Sequence, residues 1–305
     1  MSSREMQMKK IVVLGSTNTD MVISGKKIPV AGETVTGGTF MMNPGGKGAN
    51  QAVAVARLSA KKGACEFIAK VGDDLFGRDT AVRMKKDGID AKLVVDRRNP
   101  SGTALILVDA KGQNVISVAL GSNGTLSTKD IAPYKKDVEG AAALLMQLET
   151  PIPTVLAAAQ WAKAAGVPVI LNPAPAAKLP ATLFKCLEWI TPNETEAELL
   201  TGVKVKDAKS AQKAVDVLRK RGVKNVLVTM GAKGVYCGSC RKLYPAKKVK
   251  SVDCVAAGDT FNGAFVVALA EGKSCKDAIA FAQKAAAISV TRPGAQSSVP
   301  FRKEI

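Results

Sequence analysis

The sequence predicts an α/β protein with a mainly parallel sheet, helices on both of its faces, and a second, small antiparallel sheet. Three observations carry this. Short β-branched runs alternate with amphipathic stretches along most of the chain. Two regions, 20–45 and 95–120, are rich in strand patterns with no helix inside them. The chain has 305 residues, 47% of them hydrophobic, which is enough to bury a large core. A single domain over residues 1–305 is expected, with the two strand-rich regions pairing into a projecting sheet that could be a lid, a dimer contact or both.

The elements follow in order. "IVVLGS" reads as the first strand and "EFIAKVG" as the next strand of the main sheet, with a helix over 48–60 between them and another over 77–87 after them. "ALLMQLE", "VPVILNPA" and "NVLVTMG" continue the strand series, separated or followed by helices over 153–165, 207–221 and 274–290. A further helix opens with Asp259, at the end of "VDCVAAGD", and runs through Ala270. No fixed-period repeat or low-complexity linker interrupts the series.

Composition narrows the function classes. Lysine and arginine exceed aspartate and glutamate by 18, but they occur in scattered short groups such as Lys61-Lys62 and Arg219-Lys220-Arg221, with few aromatics between them. That favours a solvated basic surface tolerant of anionic substrates over a nucleic-acid face. The absence of histidine excludes a serine–histidine–aspartate triad and any histidine-containing zinc site. Cys237 and Cys240 form the only CxxC, where a hairpin turn at Gly238-Ser239 is the simpler reading and metal or redox chemistry the weaker one. The other cysteines are dispersed, as in a reduced cytosolic protein. No apolar run reaches the roughly 18 residues needed to cross a bilayer, and the hydrophobic stretch in "MSSREMQMKKIVVLG" is too short for a signal peptide. A soluble, cytoplasmic protein without nucleic-acid or membrane partners is expected.

The chemistry concentrates in a few segments. In "VDCVAAGDTFNGAF", Ala256 and Ala257 keep side chains out of the way, Gly258 lets a ligand approach the backbone, and Asp259 opens a helix. A helix start exposes unpaired N–H groups that attract phosphate, so a carboxylate beside them needs a reason. General-base chemistry is one and an ordinary N-cap is the other. "NPGGKGAN" is no Walker A loop; Gly46 with Lys47 and Asn50 suits hydroxyl recognition or a plain strand-to-helix turn. Asn18 and Asp20 in "GSTNTD" lie two apart after a strand, so they point the same way as a polyol clamp, or are turn residues. Glu149 ends an apolar strand at that same sheet edge, facing either a ligand or solvent. In "PNETEAE", Asn193 and Glu196 stand one helical turn apart, as a phosphate and metal-water pair or as a capping pattern. "TMGAKG", from Thr229 through Gly231 to Gly234, fits a nucleotide wall or a simple connection.

Taken together and in order, "GSTNTD", "NPGGKGAN", "KVGDDLFG", "LNPAPA", "TPNETEAE", "TMGAKG", "DCVAAGDTFNGAF" and "AAAISVTRPGAQSSVP" resemble the ribokinase, or PfkB-type, family of sugar and nucleoside kinases over nearly the whole chain. The resemblance implies a three-layer sandwich with an antiparallel lid, and phosphoryl transfer from ATP to the 5-hydroxyl of D-ribose, a step in ribose catabolism. It implies sugar contacts at Asn18, Asp20, Gly46, Lys47, Asn50 and Glu149, with Asp259 as base and the amides of Ala256, Ala257 and Gly258 as anion hole. Asn193, Thr229, the turn from Gly231 to Gly234, Gly258 and Gln283 match the nucleotide site, and Glu196 lies near magnesium. A monovalent cation, usually potassium, is implied at Asp253, Val255, Ser289, Arg292, Gly294 and Ser298, although Cys254 and Val255 replace the usual threonines. A homodimer through the lid is implied too. The alternatives are a sibling kinase for 2-deoxyribose, fructose or a nucleoside, and a sugar-binding regulator that has lost catalysis.

Overall fold

The computed structural model describes residues 9–305; residues 1–8, which open the segment read above as no signal peptide, lie outside it. The strands are β1 (Ile11–Leu14), β2 (Asn18–Ser24), β3 (Thr39–Gly45), β4 (Cys65–Gly72), β5 (Asp90–Asp96), β6 (Gly102–Val108), β7 (Asn114–Ala119), β8 (Ala143–Met146), β9 (Val169–Leu171), β10 (Trp189–Ile190), β11 (Asn225–Thr229), β12 (Val235–Cys237) and β13 (Lys242–Tyr244). The helices are α1 (Lys47–Leu58), α2 (Leu75–Lys86), α3 (Thr128–Ile131), α4 (Lys135–Gly140), α5 (Ile152–Ala164), α6 (Ala181–Phe184), α7 (Glu194–Thr201), α8 (Ala208–Lys220), α9 (Ala257–Ala270) and α10 (Cys275–Ser289).

Nine strands form the main sheet in the order β13-β12-β11-β10-β9-β8-β1-β4-β5. All its pairings are parallel except β11–β12 and β12–β13. Alternation along the central strands divides their side chains between two cores. Val12, Leu14, Leu144 and Met146 face α5, α7 and α8, while Ile11, Val13, Ala143 and Leu145 face α1, α9 and α10. Helices on both faces bury these strands completely, which is why they read as unbroken apolar runs. Of α9, every residue from Asp259 to Ala268 is buried, and Gly263 permits its contact with α1, since a Cβ there would lie 2.5 Å from that of Ala54. Among the described residues no helix is long and apolar enough to cross a membrane.

The second sheet has four strands in the order β3-β2-β6-β7. Its two outer pairings are antiparallel and its central one, β2 with β6, is parallel. The cause is topological: β2 follows β1 and β6 follows β5, and both leave the carboxyl edge of a parallel sheet. Sequence patterns missed β10, only two residues long, and most of β5, of which only the last two residues fall within the region 95–120. The loop between β12 and β13 spans four residues, with Arg241 at φ 49°, wider than the two-residue turn expected at Gly238-Ser239.

Candidate active site

The site lies where the carboxyl ends of β1 and β8 meet the start of α1. Gly46, at φ 87°, has no room for a side chain, because a Cβ would fall 2.7 Å from the Asn18 nitrogen and the Thr17 Cα. At Gly48 a Cβ would fall 2.5 Å from the Ser16 nitrogen. The first turn of α1 therefore docks directly on the chain that links β1 to β2, and the Ala49 N–H donates to the Ser16 carbonyl at 2.8 Å. Glu149 is anchored there as well: one carboxylate oxygen accepts from the Ser16 hydroxyl at 2.5 Å and from the Lys47 N–H at 2.9 Å.

This docking gathers the residues expected to meet a sugar. Asn50 Nδ2 and Gln51 Nε2 each donate to one oxygen of Asp259 at 2.9 Å. Asn50 Oδ1 is buried with no partner among the described residues, an acceptor set beside the Asp259 carboxylate and free for a hydroxyl donor. Asn18 is buried, and its Oδ1 accepts from Asn123 Nδ2 at 2.8 Å. Asp20, on the same strand, has its pKa pushed up to about 6 by burial and by the negative charge of Glu149. The Lys47 ammonium is also largely buried, yet Asp259, Glu149 and Glu196 together outweigh that penalty and hold its pKa above the ordinary value. One cation thus faces several carboxylates, a balance that favours hydroxyls and further cations.

At the start of α9 the structure corrects one expectation. The helix begins at Ala257, not at Asp259, because Ala256 takes the left-handed conformation (φ 57°) and its carbonyl already accepts the Thr260 N–H at 2.8 Å. Asp259 is therefore inside the first turn, 6% exposed, and its carboxylate reaches across to α1 instead of capping its own helix. Burial raises its pKa, against the opposing pull of Lys47 and the two amides. The expected anion hole is also revised in part: the Ala257 N–H is 3.3 Å from the Cys254 carbonyl and donates to it, whereas those of Ala256 and Gly258 have no acceptor among the described residues. A Cβ on Gly258 would meet nothing within 4 Å. A helical glycine costs roughly 0.5–1 kcal/mol relative to alanine, and nothing in the protein requires one here. The open space over it suits a ligand in contact with the backbone.

Beneath Asp259 lies a chain of buried side chains that sequence reasoning missed. Gln147 Nε2 donates to Gln51 Oε1 at 2.5 Å, and Gln51 Nε2 to Asn172 Oδ1 at 3.0 Å. Asn172 Nδ2 reaches the Thr191 carbonyl at 3.3 Å, the Thr191 hydroxyl bonds Asn262 Oδ1 at 2.6 Å, and Asn262 Nδ2 donates to the Gly258 carbonyl at 2.8 Å. The chain ties the N-terminal end of α9 to the ends of β8 and β9 and to α1. Its signal in the sequence was present but weak: Gln51 and Asn262 interrupt otherwise apolar helix faces.

On the opposite side, Asn193 and Glu196 form the capping box of α7, with bonds of 2.8–2.9 Å in both directions. Glu196 is buried, which raises its pKa, and it senses the charges of Lys47 and Asp259, so it borders the same cleft. Thr229 pairs beside Asn193, its N–H donating to the Pro192 carbonyl at 2.9 Å. Gly231 opens onto empty space, whereas Gly234 (φ 111°) packs so closely that a Cβ would lie 2.0 Å from the Tyr244 carbonyl. The Gln283 amide is committed to the carbonyls of Tyr244 and Pro245, at 2.9 and 3.3 Å. The six positions expected around a monovalent cation fall on two segments that are stitched together. The Asp253 carboxylate accepts the N–H groups of Val255 and Gly294, both at 2.9 Å. Arg292 turns to Glu304, while the Ser289 and Ser298 hydroxyls donate to the carbonyls of Ala286 and Ala295.

Comparison with known proteins identifies the family. Residues 8–302 match the model of the pfkB family carbohydrate kinases. The chain is 47% identical to a ribokinase of Haemophilus influenzae, over 97% of each chain. It is 36% identical to a deoxyribokinase of Salmonella typhi, over 95% of each. The structure of Arabidopsis thaliana ribokinase complexed with ribose and ATP superposes with a TM-score of 0.89 at 33% identity, covering 98% of this chain and 97% of that one. With the match spanning nearly every residue, this chain belongs to the pfkB family of carbohydrate kinases.

Proposed function

We propose that this chain transfers the γ-phosphoryl group of ATP to the 5-hydroxyl of D-ribose, releasing ADP and D-ribose 5-phosphate. The observation that carries the reading is the place of Asp259: a buried carboxylate, held by Asn50 and Gln51, between a hydroxyl-binding set and the open start of α9. A raised pKa suits a base that must take a proton near neutral pH. In the reaction Asp259 accepts the 5-hydroxyl proton, the alkoxide oxygen bonds to the γ-phosphorus, and the bond to the bridging oxygen of ADP breaks. The free amides of Ala256 and Gly258 and the positive end of α9 stabilise the charge on the transferring group. Asp20, Glu149, Lys47 and Asn50 orient the sugar.

Magnesium fits the site, because the three carboxylates of Glu196, Glu149 and Asp259 gather around the single ammonium of Lys47. Glu196 would hold it through water, and when bound it neutralises the phosphates of ATP. Potassium fits the stitched loops around Asp253 and Gly294 through carbonyl oxygens. A homodimer through the lid is supported by exposed apolar side chains: eight of the eighteen large ones, Phe40, Met42 and Ile116 among them, lie on β2, β3, β6 and β7. Unpaired cysteines support a reducing, cytoplasmic setting.

The test is ADP release from ATP and magnesium with ribose, 2-deoxyribose, fructose or adenosine, each with and without potassium. Potassium-enhanced turnover highest on ribose is expected. Preference for 2-deoxyribose would be the second reading, which the similarity to a deoxyribokinase favours; silence on all four compounds would leave a binding protein.

A further inference from the structure

The only CxxC of the chain acquires a third thiol in the fold. Cys237 ends β12, Cys240 lies in the loop before β13, and Cys275 is the first residue of α10. Their three Sγ atoms lie within 4.8 Å of one another, and those of Cys237 and Cys275 are 3.7 Å apart. A disulfide would need about 2.05 Å. In a tetrahedral thiolate site, two metal–sulfur bonds of about 2.3 Å set neighbouring sulfurs roughly 3.8 Å apart. The Cys237–Cys275 separation matches that spacing, and Cys240 Sγ lies within 4.8 Å of both.

The surroundings agree. The Cys240 N–H is 3.3 Å from Cys237 Sγ and donates to it, and the Ser239 hydroxyl lies 3.2 Å from the same sulfur; such contacts orient a ligand sulfur and spread its charge. Cys237 is buried, Cys275 half-buried and Cys240 exposed, so the cluster has a floor, a wall and an opening. Cys275 occupies the positive end of a 15-residue helix, which offsets part of the negative charge that three thiolates bring to a divalent ion. With no histidine in the chain, the donor set is all sulfur, which selects thiophilic metals.

We propose that Cys237, Cys240 and Cys275 bind a thiophilic d10 cation, Zn2+, with the fourth position open to water. The ion joins the hairpin of β12 and β13 to α10. Those same elements meet again where Gln283 holds the carbonyls of Tyr244 and Pro245. The ion therefore stiffens the wall behind the nucleotide side of the cleft without touching the reactants.

The full chain, reduced and stripped of metal with a chelator, is titrated anaerobically with Co2+ and then with Zn2+. Expected are a thiolate-to-cobalt charge-transfer band with the visible bands of a tetrahedral site, saturating at one ion per chain and bleached by Zn2+. Cys275→Ser abolishes the bands, and Cys186→Ser, a thiol outside the cluster, keeps them. Zn2+ also raises the Tm of the parent by roughly 5 °C and leaves Cys275→Ser unchanged. If Cys275→Ser fails to fold, Cys240→Ser at the exposed loop makes the same comparison. No charge-transfer band, a band unaffected by these changes, or thiols that form a disulfide in air but take up no metal when reduced would overturn the proposal.

Discussion

The two sides of the cleft use glycine for opposite reasons. On the sugar side, Gly46 and Gly48 are glycines because the protein's own backbone occupies the space a Cβ would need. On the proposed nucleotide side, a Cβ at Gly258 would meet nothing within 4 Å, and Gly231 also faces open space, although its φ of 51° already calls for glycine. The first arrangement fixes the proposed sugar side by contacts within the folded chain itself. The second leaves Gly258 as a helical glycine that neither the protein's packing nor its backbone conformation calls for. Gly234 is the exception on the nucleotide side, and it marks where that wall is anchored to β13.

The largest effect expected lies at the junction of the two sides. Asp259→Asn removes the base that both sides serve, so kcat falls about 10³-fold while ribose binding measured by calorimetry persists. Near-normal turnover in that variant would detach the sugar side from the chemistry. Next comes Gly46→Ala, which forces a Cβ against the Asn18 nitrogen and Thr17 Cα in a left-handed conformation; a loss of about 3 kcal/mol in urea unfolding is expected. An unchanged midpoint would mean that the sugar side is softer than its contacts imply.

A smaller effect concerns charge. Asp20 titrates at about 6 in the folded chain against 3.8 for a free side chain, so the folded state holds the proton more tightly than the unfolded state does. Its stabilising protonation is complete below about pH 4 and lost as the pH rises through about 6. Asp20→Asn should accordingly gain about 1–2 kcal/mol at pH 8 and little at pH 4, while raising the KM for ribose. A variant no more stable than its parent at pH 8 would show that Asp20 is better solvated than its burial suggests.

Much of the fold was legible because parallel strands covered on both faces leave continuous apolar runs, as in "IVVLGS" and "ALLMQLE". The two-residue β10 was not, since it has no periodicity to detect. Most of the residues expected around the sugar do converge, because motifs at the carboxyl edge of a parallel sheet share one location whatever their distance in sequence. Gln51, Asn123, Asn172 and Asn262 escaped notice: each is a lone polar residue whose partner lies far along the chain, and only the fold brings the two together. Cys275 was invisible as a partner of the CxxC for the same reason. The start of α9 was misplaced by two residues, because a left-handed alanine at position 256 carries no signature in sequence.

The central claim is that Gly258 is glycine for the sake of a phosphate and not for the protein. Gly258→Ala, measured for thermal unfolding and for kcat and KM with each substrate, tests it most directly. The account predicts an unchanged or slightly higher Tm, an unaltered KM for ribose, and a fall of at least 10-fold in kcat/KM for ATP. A variant that loses stability, or that keeps full activity with ATP, would contradict it.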